Sequence, residues 1–290
     1  MVLNPAFRIQ PFPYGCKLGA MFRMRTPPET VTSKCASTAS GTAGKLGPDS
    51  ASCRPVVVAS VTRQAEAIQE QLFPDGVVLV AHSGPETDPD LFPEELAAMA
   101  RANPARLREF ALGRRCAREA LTLLGGPSVA IPVGRFRDPV WPFGYIGSIT
   151  HCHDFCAAAV ARIIPNNGPH SIRGIGLDCE PAAALPNELR GLVCSAEERA
   201  WLVARQNDGV VWDRLFFCAK ESAYKSIFPE THQFLEFRDV TVQFHPEYGS
   251  FEVTLPNLGA IGSRALMGRY AIRKDILLAA TTWMEAPACP

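Results

Sequence analysis

The sequence predicts an α+β fold laid out as two mixed helix-and-strand halves, and three observations predict it. A long segment opening at Asn103-Pro104 carries helical periodicity and lies between short apolar runs of strand character. A joint rich in Pro and Ala follows near residues 181–190. Beyond it come further helical stretches and then a tail of strand-like segments. The divisions expected are an N-terminal extension over 1–60, a first half over 61–182 and a second half over 183–290.

Within the first half, VVLVAH (Val77 to His82) reads as a short buried strand. Asn103 is an N-cap candidate with proline at the first helical position, so a helix is expected through LREFALGRRCAREALTLL to a stop at Gly125-Gly126. Residues 127–145 read as a loop. Ser148 to Ile164 and Ile172 to Glu180 read as two strands joined by the turn-forming PNNGPH. In the second half, Ser195 with Glu198 forms a capping box opening a helix over about 196–206. Another helix is expected from Val211 to Phe228, halted by Pro229. The segments DVTVQFHPEYGSFEVTL and RALMGRYAIRKDILLAATTW read as strands of an antiparallel sheet.

Composition narrows the function. The 290 residues are 47% hydrophobic, enough to bury a full core. Lys and Arg number 29 against 29 Asp and Glu, which argues against binding nucleic acid through bulk charge. No apolar run approaches the roughly 20 residues that span a bilayer, so no membrane segment is expected. Ten cysteines are scattered, several inside apolar segments (Cys116, Cys179, Cys218), and the chain start lacks a secretory layout. Reduced thiols and a cytoplasmic location follow. Residues 1–60 carry seven Lys/Arg against Glu29 and Asp49 alone, with a Ser/Thr/Ala/Gly stretch. They read as a disordered or weakly ordered extension in preference to a transit peptide.

Four features carry candidate chemistry. In Gly174-Ile-Gly-Leu-Asp-Cys-Glu-Pro181, strand alternation puts Asp178 and Glu180 on one face and Leu177 and Cys179 on the other. Two carboxylates that close repel unless a cation or shared proton intervenes, and oxygen donors favour Mg²⁺ or Mn²⁺. A solvated strand end is the competing explanation. In Trp212-Asp-Arg-Leu-Phe-Phe-Cys-Ala-Lys-Glu-Ser-Ala-Tyr-Lys225, a helix would be apolar around most of its circumference and largely buried. Glu221 and Lys225 lie one turn apart on it, about 40° around the axis. They form either an ordinary surface pair or a functional one.

The third feature is a basic block of eight arginines from Arg101 to Arg137, opposed by Glu109 and Glu119. On the helix wheel Arg114 falls among Leu107, Phe110 and Leu121, with Arg118 at the edge of that arc. Arginines there either snorkel outward or reach a buried anion such as a phosphate. The fourth is Gly147-Ser-Ile-Thr-His-Cys-His-Asp-Phe-Cys156. Zinc is its weak reading, because no second Cys/His pair follows at the usual spacing. His151 beside Thr150 reads either as a phosphate donor or as a satisfied core histidine.

Taken in order, GRRCAREAL, P-V-WP-F-GYIGSITH, GIGLDCEP and WDRLFFCAKESAYK resemble the 4′-phosphopantetheinyl transferases of the enterobactin- and surfactin-synthetase type, over roughly residues 75–285. The resemblance implies transfer of the phosphopantetheine arm of coenzyme A to a carrier-protein serine, leaving 3′,5′-ADP. It implies two similar α+β halves about a pseudo-twofold axis, with the active site in the cleft between them. By the same resemblance, Asp178, Glu180 and Glu221 match the Mg²⁺ acids, Glu180 less securely because it can act through water. Glu221, Lys225 and Lys220 match catalytic positions, Glu221 as the expected base. Arg106, Arg114, Arg118, Thr150 and His151 match positions around the CoA phosphates, with Arg137 or Arg135 as a further contact. Phe217 stands where the family often has Trp. The implied partners are acyl- or peptidyl-carrier domains of polyketide, non-ribosomal peptide or fatty-acid synthases, served by a monomer. A metal-dependent nuclease or phosphatase is the alternative, and a non-catalytic CoA- or carrier-binding protein ranks last.

Overall fold

Runs of small and β-branched residues set where the chain becomes sheet. The computed structural model of the protein describes this for residues 63–84, 90–163, 171–256, 265–273 and 275–284. The expectation for residues 1–60 and the turn PNNGPH lie outside these.

A helix α1 (Arg63–Leu72) leads into β1 (Val77–Ser83), then short α2 (Pro93–Ala98), long α3 (Pro104–Leu123), and the strands β2 (Tyr145–Cys152) and β3 (Phe155–Arg162). These strands form an antiparallel sheet in the order β1-β3-β2. Alanines at 157, 158, 159 and 161 in central β3 are all buried. Side chains this small let elements approach closely from both faces. On one face Leu112, Cys116, Ala117 and Leu121 of α3 pack on Ala158 and Val160. On the other, Ile68 and Leu72 of α1 meet Leu79, Ala157 and Ala159, together with Ile175, Leu177 and Leu278. Helix α3 begins as its sequence dictates: the Asn103 side chain accepts from the Arg106 N–H at 2.8 Å, ahead of Pro104.

The chain then passes into β4 (Ile172–Pro181), α4 (Asn187–Val193), α5 (Ala196–Ala204) and α6 (Trp212–Thr231). Strands β5 (Thr241–His245), β6 (Ser250–Thr254), β7 (Ala265–Ile272) and β8 (Ile276–Met284) complete it. The second sheet is antiparallel, in the order β4-β8-β7-β6-β5. The Ser195–Glu198 capping box is formed in both directions. Helix α6 lies on β4 because Gly174 and Gly176 carry no side chain. A Cβ on Gly176 would stand 1.7 Å from the Ser222 carbonyl oxygen, and one on Gly174 2.0 Å from that of Ser226.

Three differences from the sequence reading have local causes. Ser148 to Ile164 is not one strand: β2 and β3 form a hairpin with residues 153–154 as its turn, His153 having φ 51°. The apolar pattern runs through that turn and hides it. Helix α6 does not halt at Pro229 but continues to Thr231. Proline removes only one N–H, and the last turn is closed by the His232 N–H on the Phe228 carbonyl at 2.8 Å, with His232 left-handed at φ 49°. Strand β4, grouped with the first half on sequence, hydrogen-bonds along β8, so the change of sheet falls between β3 and β4. No helix among the described residues is long and apolar enough to cross a membrane.

Candidate functional site

The two sheets meet where β2 runs beside β4. The Ser148 hydroxyl accepts from the Leu177 N–H, and the Thr150 hydroxyl from the Cys179 N–H, each at 3.0 Å. Both pairs are 29 residues apart, so the strands run in the same direction with side-chain oxygens standing in for a backbone ladder. This seam fixes the height of Asp178 and Glu180. As alternation requires, both lie on one face of β4, Asp178 with no exposed surface and Glu180 at 6%.

That face looks onto α6. Gly176 against Ser222 and Gly174 against Ser226 show the helix descending as the strand ascends. Arg214, Glu221 and Lys225 fall within about 40° of one another on the helix wheel. Lys225 donates to Asp178 Oδ1 at 2.7 Å and to the Leu177 carbonyl at 2.9 Å. Arg214 donates to Glu180 Oε2 at 3.2 Å. Glu221, itself 8% exposed, lies between those two cations in sequence and on their stripe. Burial, then the charges of Glu221 and Asp138, pushes the Tyr224 hydroxyl well above its ordinary range.

The structure distributes the remaining candidates differently. Lys220 lies about 100° around the helix from Glu221 and faces away from this stripe. Its ammonium donates to the Val193 carbonyl (2.8 Å), Glu198 Oε2 (2.8 Å) and the Phe237 carbonyl (3.0 Å). Three acceptors, two of them buried, use all three hydrogens, so Lys220 ties α6 to α4 and α5 and has none left for a pyrophosphate. Arg118 is likewise internal, its Nη1 donating to both oxygens of buried Glu95 at 3.1 and 2.9 Å. Glu95 also accepts from the Ile131 N–H, which pins the 127–145 loop to α2. Arg114 donates to the Ile131 carbonyl at 2.7 Å and stacks 4.3 Å over Phe110. Burial lowers its pKa to about 10, which still leaves a cation at neutral pH.

Thr150 and His151 point to opposite faces of β2. Thr150 is buried toward β4, with Asp178 Oδ1 3.4 Å from its hydroxyl. His151 faces α3, where its Nε2 lies 2.7 Å from Arg106. Arg106, with 47% of its side chain exposed, also donates to Glu109 at 3.2 Å. Arg135 and Arg137 are exposed on the loop, Arg137 with φ 68°. Of the expected phosphate-binding residues, Arg106, His151 and this loop pair therefore keep accessible polar groups.

Sequence reasoning missed Glu95, Asp213 and Arg214, buried charges whose side-chain partners are distant in the chain, and it read Glu198 as a cap without its buried tie to Lys220. Only Arg214 left a trace, seven residues before Glu221 on the same helical stripe.

Among the described residues, no three His, Cys, Asp or Glu side chains group closely enough to hold a metal ion unaided. That leaves the zinc reading of His151, Cys152, His153 and Cys156 without support. The acids near α6 still suit magnesium, which prefers oxygen donors and commonly takes one or two carboxylates with substrate phosphates and water.

Two family models match the chain. The 4′-phosphopantetheinyl transferase N-terminal domain covers residues 93–161, and the 4′-phosphopantetheinyl transferase superfamily covers 174–267. The chain is 41% identical to the 4′-phosphopantetheinyl transferase Svp of Streptomyces mobaraensis, over 68% of this chain and 80% of Svp. It is 35% identical to Npt of Nocardia iowensis, another 4′-phosphopantetheinyl transferase, over 74% of this chain and 99% of Npt. It is also 35% identical to PptT of Mycobacterium tuberculosis, over 65% of this chain and 84% of PptT. The two models flank the change of sheet between β3 and β4, and they contain β2 and β4, the strands whose seam frames the buried acids. The nuclease or phosphatase alternative finds no support in these matches.

Proposed function

Because the chain belongs to the 4′-phosphopantetheinyl transferase superfamily, we propose that its transfer centre is the β4–α6 face, with Asp178, Glu221 and Lys225 at its heart and Glu180 beside them. The enzyme transfers the phosphopantetheine arm of coenzyme A to a serine of a carrier protein. The serine Oγ forms a bond to the β-phosphorus, the P–O bond to the ADP moiety breaks, and 3′,5′-ADP departs. The single observation that carries this placement is the Lys225–Asp178 pair, which draws two motifs distant in sequence to one point.

In this reading Glu221 accepts the serine proton, directly or through water. Lys225 steadies charge on the departing phosphate, and Asp178 orients the Lys225 ammonium. Arg106 and His151, with Arg137 or Arg135, meet the outer phosphates of CoA. Asp178 and Glu221 would hold Mg²⁺, with Glu180 in reserve through water. When bound, the ion offsets repulsion between the diphosphate and the incoming oxygen. The partner is an acyl- or peptidyl-carrier domain of a polyketide, non-ribosomal peptide or fatty-acid synthase. We place the enzyme in the cytoplasm, a reading that six buried thiols among the described residues support, and take it to act as a monomer.

The test is incubation with CoA, Mg²⁺ and an apo carrier protein, read by mass spectrometry as gain of one phosphopantetheine. Glu221→Gln is expected to abolish the gain while CoA binding persists. Near-normal turnover of that variant would remove Glu221 from the centre.

A further inference from the structure

Arg214 sits at the start of α6 with its guanidinium buried, and its three nitrogens go in three directions. Nη1 donates to Glu180 Oε2 (3.2 Å), Nε to the Ala183 carbonyl (2.9 Å) and Nη2 to the Ala184 carbonyl (3.2 Å). Its neighbour Asp213 continues the grip. Asp213 Oδ2 accepts from the Leu185 N–H at 3.2 Å and from Arg190 at 3.0 and 2.8 Å. The first two residues after Trp212 thus hold the whole path that the chain takes on leaving β4, from Glu180 to Arg190.

The chemistry of this arrangement is specific to arginine. A planar fork can satisfy one carboxylate and two carbonyls at fixed angles, whereas an ammonium is a point donor on a flexible stem. The fork anchors the Pro/Ala-rich segment through the Ala183 and Ala184 carbonyls, and Glu180 sits at the end of the strand that this segment terminates. Because the fork stands on the Glu221–Lys225 stripe, it also ties the acid end of β4 to the helix that carries those groups.

We propose that Arg214 is a positioning residue for the transfer reaction: it fixes the Glu180 carboxylate and the exit of β4 relative to Glu221 and Lys225. The inference rests on the placement of the transfer centre on this face.

The test compares Arg214→Met, Arg214→Lys, Glu180→Gln and the double variant Arg214→Met/Glu180→Gln. Each is measured for kcat, for KM of CoA and for Mn²⁺ binding by electron paramagnetic resonance. A positioning role makes both Arg214 variants lose about tenfold or more in kcat and bind Mn²⁺ more weakly, because lysine restores charge but not the fork. It also makes Arg214→Met cost less than about twofold once Glu180 is already Gln. A mere neutraliser of Glu180 would instead leave Arg214→Lys near wild type and make Arg214→Met bind Mn²⁺ more tightly. A merely structural arginine would give the same loss in both Glu180 backgrounds. Either result overturns the proposal, and Arg214→Lys decides it if Arg214→Met does not fold. If Glu180→Gln changes neither kcat nor Mn²⁺ binding, Glu180 lies outside the centre and the positioning role falls, whereas the placement itself fails only if Glu221→Gln keeps near-normal turnover. If Glu180→Gln is impaired but Arg214 is additive with it, only the positioning role falls.

Discussion

The Lys225 ammonium stands 2.7 Å from Oδ1 of Asp178, a carboxylate with no exposed surface, and a further 2.9 Å hydrogen bond to the Leu177 carbonyl holds it there. Breaking a buried pair from one side leaves an uncompensated charge and costs about 3–5 kcal/mol. Because 23% of the Lys225 side chain is exposed, Lys225→Met is expected near the lower end, about 3 kcal/mol in urea unfolding. The double variant Lys225→Met/Asp178→Asn should recover most of that stability while remaining inactive in transfer. If the double variant were as unstable as the sum of the singles, the two side chains would not be acting as a pair.

Lys220 gives the opposite expectation for activity. Its three hydrogens end on Val193, Glu198 and Phe237, and Glu198 is itself buried while capping Ser195 and accepting from the Val242 N–H at 2.8 Å. Lys220→Met should therefore cost about 3 kcal/mol or more, since it strands the Glu198 charge. The folded fraction should keep the wild-type KM for CoA. A raised KM with unchanged stability would return Lys220 to the phosphates.

The contrast between these two lysines marks where the sequence was legible. Asp178, Glu180, Glu221 and Lys225 could be read because strand and helix periodicities alone place them on one face of β4 and one stripe of α6. The caps at Asn103 and Ser195 were legible for the same reason, being contacts within three residues. Lys220 adjoins Glu221 in the motif, yet a one-residue step on a helix turns a side chain by about 100°, and only tertiary packing shows what lies there. The resemblance assigns Arg118 to the phosphates, and its actual partner Glu95 is not legible because it lies 23 residues away on a helix of six residues, too short to predict. The β2–β3 hairpin stayed hidden because its two-residue turn at His153 has no glycine.

A pH effect on stability is expected from Glu119 of α3. Partial burial alone would raise its pKa, but hydrogen bonds from His82 Nε2 (2.8 Å) and Arg115 Nε (3.0 Å) outweigh burial and hold it below the usual carboxylate value. A depressed folded pKa gives stability that is present above the unfolded value and lost as pH falls through the folded one. Wild type should thus exceed Glu119→Gln in stability at pH 7, and the gap should close below about pH 4.5. Urea midpoints measured from pH 7 to pH 3 check this, and a gap that widens on acidification would contradict it.

The closeness of α6 to β4 rests on Gly176, and this can be tested with a single methyl group. A Cβ there would lie 1.7 Å from the Ser222 carbonyl oxygen and 2.8 Å from Thr281 Oγ1, which itself bonds that carbonyl. Backbone cannot swing aside as a side-chain tip can, so the helix must shift bodily, and overpacking of this kind costs about 3 kcal/mol or more. Since α6 carries Glu221 and Lys225, Gly176→Ala should also lose transfer activity at temperatures where the protein is still folded. Gly191 supplies the control. It lies in α4 with nothing within 4 Å of its would-be Cβ, so alanine there should stabilise by about 0.4–1 kcal/mol. Thermal unfolding of the two variants should therefore shift in opposite directions, with activity lost only in Gly176→Ala. An active, stable Gly176→Ala protein would mean that the helix does not need to lie this close to the strand for the transfer centre to work.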